Sequence, residues 1–305
     1  MINAIETDAL TKHYGPFKAV NGLNLKVPQG QVFGLLGPNG AGKTTTIMML
    51  LGNVRPTSGR ATLLDRPLGD IPVRSKIGFL PEKFQCHDFL TATEFLRLHG
   101  RLGGMSGSRL EARIGFVLER VGLETRATSK IREFSRGMQQ RIGLAQAILN
   151  EPALVILDEP TSALDPVGRR DVRQIVEELR GQGKTVLLNS HILSEIEATC
   201  DRVAILKQGK IIAEGTIPEL LTFASAVEVE VHSMNDAALT AVRKIVQKLK
   251  LERVPITRFT AVLRSEDDIP DLAAALVENG VKLLALIPKR ETLEDAYLRL
   301  LESCP

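Results

Sequence analysis

Apolar residues in this chain gather into short unbroken runs, separated by longer stretches with helical spacing. Val32-Phe33-Gly34-Leu35-Leu36, Ile77-Gly78-Phe79-Leu80, Leu154-Val155-Ile156-Leu157 and Thr185-Val186-Leu187-Leu188 read as buried strands. Between and around them the spacing predicts helices over 44–51, 91–101, 137–149, 168–180 and 193–200. Thr91 and Glu94 have the spacing of a capping box. Ser108 and Glu111 repeat it ahead of Leu110, Ile114, Val117, Leu118 and Val121, which fall on one helical face. Two short strands are predicted over 202–207 and 210–213, whereas 9–27 reads as apolar and turn-rich. Continuous apolar strands alternating with helices predict an α/β fold with a mostly parallel sheet covered on both faces.

The pattern changes character over 216–225. Val227-Glu228-Val229-Glu230-Val231 alternates like a half-exposed strand. A helix over 237–249, two strands within 254–264, a helix over 272–279 stopped by Gly280, and a strand over 281–287 follow. That order, βαββαβ, predicts a small ferredoxin-like α+β sandwich. A last helix places Leu293, Ala296, Tyr297, Leu300 and Leu301 on one side. The predicted division is therefore 1–220 and 221–305, in keeping with a length of 305 residues.

Three segments carry chemistry. Gly37-Pro38-Asn39-Gly40-Ala41-Gly42-Lys43-Thr44 fits the phosphate-binding pattern GxxxxGK[ST], with a strand before it and a helix after it. Its glycines let successive backbone N–H groups converge on phosphate oxygens, and the helix N-terminus adds positive potential. In that pattern Lys43 reaches the β- and γ-phosphates and the Thr44 hydroxyl ligates Mg²⁺; Thr45 continues the turn. Second, the strand ending in Asp158 and Glu159 offers one carboxylate to hold Mg²⁺ through water and another to take a proton from an attacking water. Third, Phe134-Ser135-Arg136-Gly137-Met138-Gln139-Gln140-Arg141 reads locally as a helix with Ser135 as its N-cap. It lies 24 residues before Glu159, and Ser162-Ala163-Leu164-Asp165 and Asn189-Ser190-His191 follow at close range.

With these segments in this order, residues 3–220 resemble the ATP-binding subunit of an ABC transporter. The resemblance implies a P-loop NTPase domain with a helical subdomain, ATP and Mg²⁺ as ligands, and ATP hydrolysis as the activity. By it, Tyr14 stacks on adenine with Val20 beside it, and Gly37 to Thr45 hold the phosphates. Phe134 to Met138, including Arg136, stand where the family signature contacts the γ-phosphate of ATP held by an opposite subunit. Asp165 ends the loop linking the two sites, and His191 senses the γ-phosphate. On their own, Tyr14 reads rather as a core or surface aromatic and His191 as a satisfied loop histidine. Two departures stand out: the usual LSGGQ is here Phe134-Ser135-Arg136-Gly137-Met138, and Glu82 replaces the usual glutamine near Mg²⁺. Both variants, together with the small C-terminal domain, resemble the branch serving drug, polysaccharide and lipid exporters.

The remaining features bound the partners. With 44% hydrophobic and 25% charged residues the chain is not a disordered one. A net charge of +3 gives no nucleic-acid footprint. No apolar run is long enough to span a bilayer, so a pore must come from integral membrane permease subunits. Cys86, Cys200 and Cys304 fit neither a disulfide framework nor a zinc cluster. With the resemblance, these features imply a peripheral subunit on the cytoplasmic face of the cell membrane, held by the permease. One phosphate loop with one signature per chain implies a head-to-tail pair of chains, expected to be a homodimer. Within 83–130, Phe84, Phe89, Leu90 and Phe95 form either a docking surface or the core of a helical subdomain. A soluble ABC ATPase of translation or DNA is the alternative. A P-loop GTPase would need an Asn-Lys-x-Asp motif, which does not occur.

Overall fold

The computed structural model describes residues 2–221, 226–251, 257–265, 267–289 and 291–303. Cys304 and the start of the strand pair expected within 254–264 lie outside them. The chain divides into two compact units, Met1–Ile217 with Leu300–Pro305, and Pro218–Arg299.

In the larger unit a six-stranded sheet runs Lys210–Thr216, Arg202–Lys207, Val32–Leu36, Thr185–Asn189, Leu154–Asp158, Ile77–Leu80. All pairings are parallel except the outer hairpin of Arg202–Lys207 with Lys210–Thr216. Every residue of Val32–Leu36, Leu154–Asp158 and Thr185–Asn189 is buried. Coverage on both faces is why these strands are apolar throughout rather than alternating.

A second, antiparallel sheet is built on the long strand Asn3–Tyr14, flanked by Phe17–Leu23 and Ser58–Leu63, with Lys26–Pro28 beside it. About half of it falls in the stretch read only as apolar and turn-rich. Register shifts interrupt its pairings near Leu10 and Lys12, and Ala9 has a positive φ of 47°. Such bulges break the two-residue alternation by which a strand is recognised. The helix Lys43–Leu50 buries Ile47, Met49 and Leu50 in one core with Ile5 and Leu63 of this sheet and Phe33, Leu154 and Ile156 of the other.

Three helices form the helical part of this unit: Ala92–Leu102, Gly107–Arg120 and Arg136–Leu149. The first opens on the expected capping box, Thr91 with Glu94. The second does not use Ser108 and Glu111 as a cap. It begins one turn's fraction earlier, Ser106 occupies the N-cap without a side-chain bond, and Glu111 is drawn to Arg97 at 2.6 Å. Phe95 is fully buried, edge-on to Phe84 with ring centroids 6.0 Å apart and against His99 at 4.5 Å. It is therefore core and not docking surface, while Phe89 is 64% exposed.

In the smaller unit the strand order is Lys248–Leu251, Arg258–Val262, Ala226–Val231, Leu283–Pro288, with every pair antiparallel. Helices Asp236–Ile245 and Asp268–Glu278 supply Ala238, Val242, Leu272 and Leu276 to a core with Val227, Val229, Val231 and Phe259. The helix expected over 237–249 stops at Ile245, where Val246 is extended. Lys248-Leu249-Lys250-Leu251 then alternates along an edge strand, a period-2 pattern that helix-like spacing had absorbed. The last helix, Leu293–Ser303, buries Leu293 and Ala296.

The contrast between two aromatic residues tests this packing. Phe95→Ala should destabilise the chain by about 3–5 kcal/mol, and Phe89→Ala by less than about 0.5 kcal/mol, in urea denaturation followed by circular dichroism.

Candidate functional site

The site is assembled at the carboxyl ends of the parallel strands. Strand Val32–Leu36 runs into the loop 37–42 and then into helix Lys43–Leu50. The loop needs its glycines for two separate reasons. Gly37 and Gly42 have φ of 152° and 103°, and a Cβ on either would stand 2.4 Å from a backbone oxygen, of Leu206 and Ala19 respectively. Only glycine combines that backbone with that close approach. The amides at the start of a helix have no acceptor within it, so they are available to an anion.

Lys43 folds back on its own loop, donating to the carbonyl oxygens of Gly37 at 2.5 Å and Pro38 at 3.2 Å. Burial pulls its pKa down, while Glu159, Asp158 and Glu82 oppose that shift. The fold therefore brings these three carboxylates, spread over 78 residues of sequence, within electrostatic reach of one ammonium group.

Asp158 ends its strand 1% exposed and accepts a short hydrogen bond from the Asn189 side chain on the neighbouring strand. Burial raises its pKa; the Asn189 bond works the other way, Glu82 adds to the rise, and Lys43 lowers it. The next residue, Glu159, adopts a left-handed backbone with φ of 53°. For a residue with a Cβ that conformation costs about 1–3 kcal/mol and is kept only where the surroundings impose it. Here its N–H donates to the Asn189 carbonyl at 2.8 Å, and its own carbonyl accepts from Gln140 Nε2 at 3.2 Å. The Glu159 carboxylate lies 2.6 Å from His191 Nδ1. With the carboxylate as acceptor, Nδ1 carries the proton. Burial pushes the Glu159 pKa up and the His191 contact draws it back. The Glu159 side chain is 12% exposed and that of His191 67%, so the histidine is the solvent-facing member.

The remaining candidates are placed differently. Tyr14 is 49% exposed, with Lys12 Nζ 5.1 Å from its ring centre. Val20 is fully buried and bears on the site from beneath, against Gly42. Ser135 caps helix Arg136–Leu149, its Oγ accepting from the Met138 N–H at 3.3 Å, which leaves the hydroxyl proton free to donate. Arg136 is exposed and Met138 half-buried. Asp165 caps helix Pro166–Gly181, its Oδ1 accepting from the Gly168 N–H at 2.9 Å.

The structure adds Gln140 and Asn189, for which the sequence offered no role. Gln140 is a polar residue 5% exposed inside a helix, and Asn189 ends an apolar strand; a polar side chain in either setting is the available signal.

A divalent cation fits this donor set. Thr44 presents an exposed hydroxyl, Asp158 and Glu82 carboxylates lie near Lys43, and Asn189 Oδ1 is buried beside Asp158 without a hydrogen-bond partner among the described residues. All are hard oxygen donors, as Mg²⁺ requires. Among the described residues no group of three or more His, Cys, Asp or Glu is arranged to hold a metal. An ion held jointly by few side chains and phosphate oxygens matches that.

Comparison with known proteins agrees with this geometry. Residues 20–162 match the family model described as ABC transporter. An uncharacterized ABC transporter ATP-binding protein of Synechocystis sp. is 39% identical over 306 aligned positions, covering 97% of this chain and 84% of the relative. The Nod factor export ATP-binding protein I of Cupriavidus pinatubonensis is 36% identical, covering 97% and 90%. Among solved structures, a dimeric post-hydrolysis ATP-binding cassette bound to ADP and Pi superposes with a TM-score of 0.65 at 28% identity. It covers 70% of this chain and 98% of that one. With relatives of this identity matching along nearly its whole length, the chain belongs to the ABC transporter ATP-binding proteins and is an ATPase of that family.

Proposed function

We propose that two copies of this chain close head to tail around two ATP molecules, and that closure and hydrolysis drive export through a separate membrane-spanning partner. The observation that carries the reading is Gly137. It sits in the first turn of its helix without a positive φ, and a Cβ there would meet nothing closer than 3.4 Å. Nothing among the described residues of its own chain requires glycine there, which costs a helix about 1 kcal/mol relative to alanine. An approaching phosphate does require it, because the backbone amide must come close. Ser135, with an unspent hydroxyl proton, supports the same role.

In each site Tyr14 stacks on adenine with Val20 behind it, and the backbone from Gly37 through Pro38, Asn39, Gly40, Ala41 and Gly42 to Lys43, Thr44 and Thr45 wraps the phosphates. Lys43 exchanges its two loop carbonyls for β- and γ-phosphate oxygens. Thr44, Asp158 and Glu82 are the residues that would hold Mg²⁺, which when bound neutralises charge on the phosphate oxygens. Glu159 accepts the proton of the attacking water; its burial-raised pKa suits a general base. His191 orients that carboxylate and meets the γ-phosphate. Ser135, Arg136, Gly137 and Met138 act on the partner's ATP, and Asp165 lies at the junction of the two sites. ATP meets Ser135 and Gly137 only in the closed pair, and that differential affinity shifts the population. Loss of the γ-phosphate reopens it.

Among the described residues no helix is long and apolar enough to cross a membrane, which supports a permease of separate polypeptide. A relative named for export supports the direction. The subunit then lies on the cytoplasmic face of the membrane, with 221–305 as an accessory domain. The docking surface is centred on the exposed Phe89, with the partly buried Phe84 and Leu90 at its edge.

Two outcomes are expected. Glu159→Gln should keep ATP binding, lose about 10²–10³-fold in turnover, and accumulate an ATP-held dimer on sizing chromatography; a monomer at saturating ATP and Mg²⁺ contradicts the sandwich. Phe89→Ser should leave thermal stability unchanged and lower recovery of the co-expressed permease in pull-down; unchanged recovery removes this docking surface.

A further inference from the structure

Thr161 and Glu195 lie outside every role assigned above, yet they form a buried, charge-assisted hydrogen bond. Thr161 Oγ1 donates to Glu195 Oε2 at 2.6 Å, and the residues are 4% and 8% exposed. Thr161 is two residues beyond Glu159, on the segment leading to Asp165. Glu195 is four residues beyond His191, in helix Leu193–Thr199. Beyond the strand pairing and the bonds of Asn189 to Asp158 and to the Glu159 backbone, two more side-chain bonds fasten the segments that carry the catalytic pair. The first fastening is Glu159 to His191, where the histidine is largely exposed. The second is Thr161 to Glu195, sealed from solvent.

The second fastening extends to the Asp165 helix. Arg169, in helix Pro166–Gly181, places Nη1 3.7 Å from Glu195 Oε1 and donates from Nε to the Leu164 carbonyl at 3.1 Å. Glu195 Oε1 has no hydrogen-bond partner among the described residues. Among the described residues the hydrogen bond holding the carboxylate is therefore the one from Thr161, with Arg169 supplying the counter-charge. Backbone bonds complete the frame: the Leu164 N–H donates to the Thr161 carbonyl at 3.0 Å, and the Glu195 N–H to the Ile192 carbonyl at 3.1 Å.

We propose that Glu195 is a positioning residue: through Thr161 it pins the segment Glu159–Asp165 to the segment that carries His191. The proposal rests on the reading of Glu159 as the general base. The His191–Glu159 contact must loosen when a phosphate and water come between the two side chains. The buried pin does not need to loosen, so the histidine stays in register with the carboxylate through each cycle. The two groups then meet as parts of one frame rather than by a search, and misplacing a reacting group by about 1 Å can cost about 10²-fold in rate. Through Arg169 and Leu164 the same frame includes the approach to Asp165, so the carboxylate of Glu195 ties the base, the histidine and the junction loop together.

The test is steady-state ATPase of the full chain with ATP and Mg²⁺, alongside binding of a fluorescent ATP analogue and thermal melting. Thr161→Val keeps the shape of the side chain but removes the donor. It should lower kcat about tenfold or more, leave analogue affinity and KM within about twofold, and Thr161→Ser should restore turnover. Thr161→Val combined with Glu195→Met should be no worse than Thr161→Val alone, since a methionine side chain offers no oxygen to accept the Thr161 hydroxyl and both changes remove one shared interaction. A kcat within about twofold of the parent in Thr161→Val overturns the proposal. So does an equal loss in Thr161→Ser, which assigns the effect to packing, or a change confined to KM. Glu159→Gln is measured in parallel: normal turnover there refutes the base assignment, whereas its loss beside a normal Thr161→Val refutes only the pin.

Discussion

Two adjacent carboxylates at the end of a fully buried strand are the constraint around which the rest of this ATPase is arranged. Asp158 and Glu159 both have their pKa raised by burial, which is energetically unfavourable unless each finds a specific partner. Asn189 bonds one and His191 the other. The consecutive residues aim at different partners because Glu159 takes a left-handed backbone, locked from both sides by the Asn189 carbonyl and the Gln140 amide. Lys43 supplies the nearby cation.

The fold delivers those partners because of strand order. Thr185–Asn189 lies between Val32–Leu36, which feeds the phosphate loop, and Leu154–Asp158, which ends in the carboxylates. Neighbouring parallel strands end at the same edge, so the loop, the acids and the His191 segment open onto one crevice outside their carboxyl ends. Gln140 ties the helix capped by Ser135 to that edge as well, through one hydrogen bond to the Glu159 carbonyl.

The strands bearing the site were legible because burial on both faces makes them apolar without interruption, and the phosphate loop because its glycines answer a steric demand visible at the level of spacing. Ser135 and Thr91 were legible as caps for the same local reason. The long bulged strand Asn3–Tyr14 was not, because register shifts erase its alternation. Nor was the strand Lys248–Leu251, whose two leucines also suit a helix. Asn189, Gln140, Thr161 and Glu195 were out of reach for a different reason. Their roles depend on pairings over 19 to 34 residues of sequence, which only the folded sheet brings together. Tyr14 and Val20 divide similarly: the type of residue was readable, but not that one is exposed and the other sealed beneath Gly42.

Complementation between two inactive chains tests most directly whether each ATP is shared by two subunits. Lys43→Ala spoils the phosphate loop and keeps the signature. Gly137→Asp does the converse; its Cβ has room in its own chain, and its carboxylate repels phosphate. Each chain alone should be inactive, and an equal mixture should recover up to about a quarter of the parent ATPase rate, since half the pairs would be mixed and each would hold one intact site. A mixture no more active than its components, from chains shown to exchange subunits, would contradict the shared site.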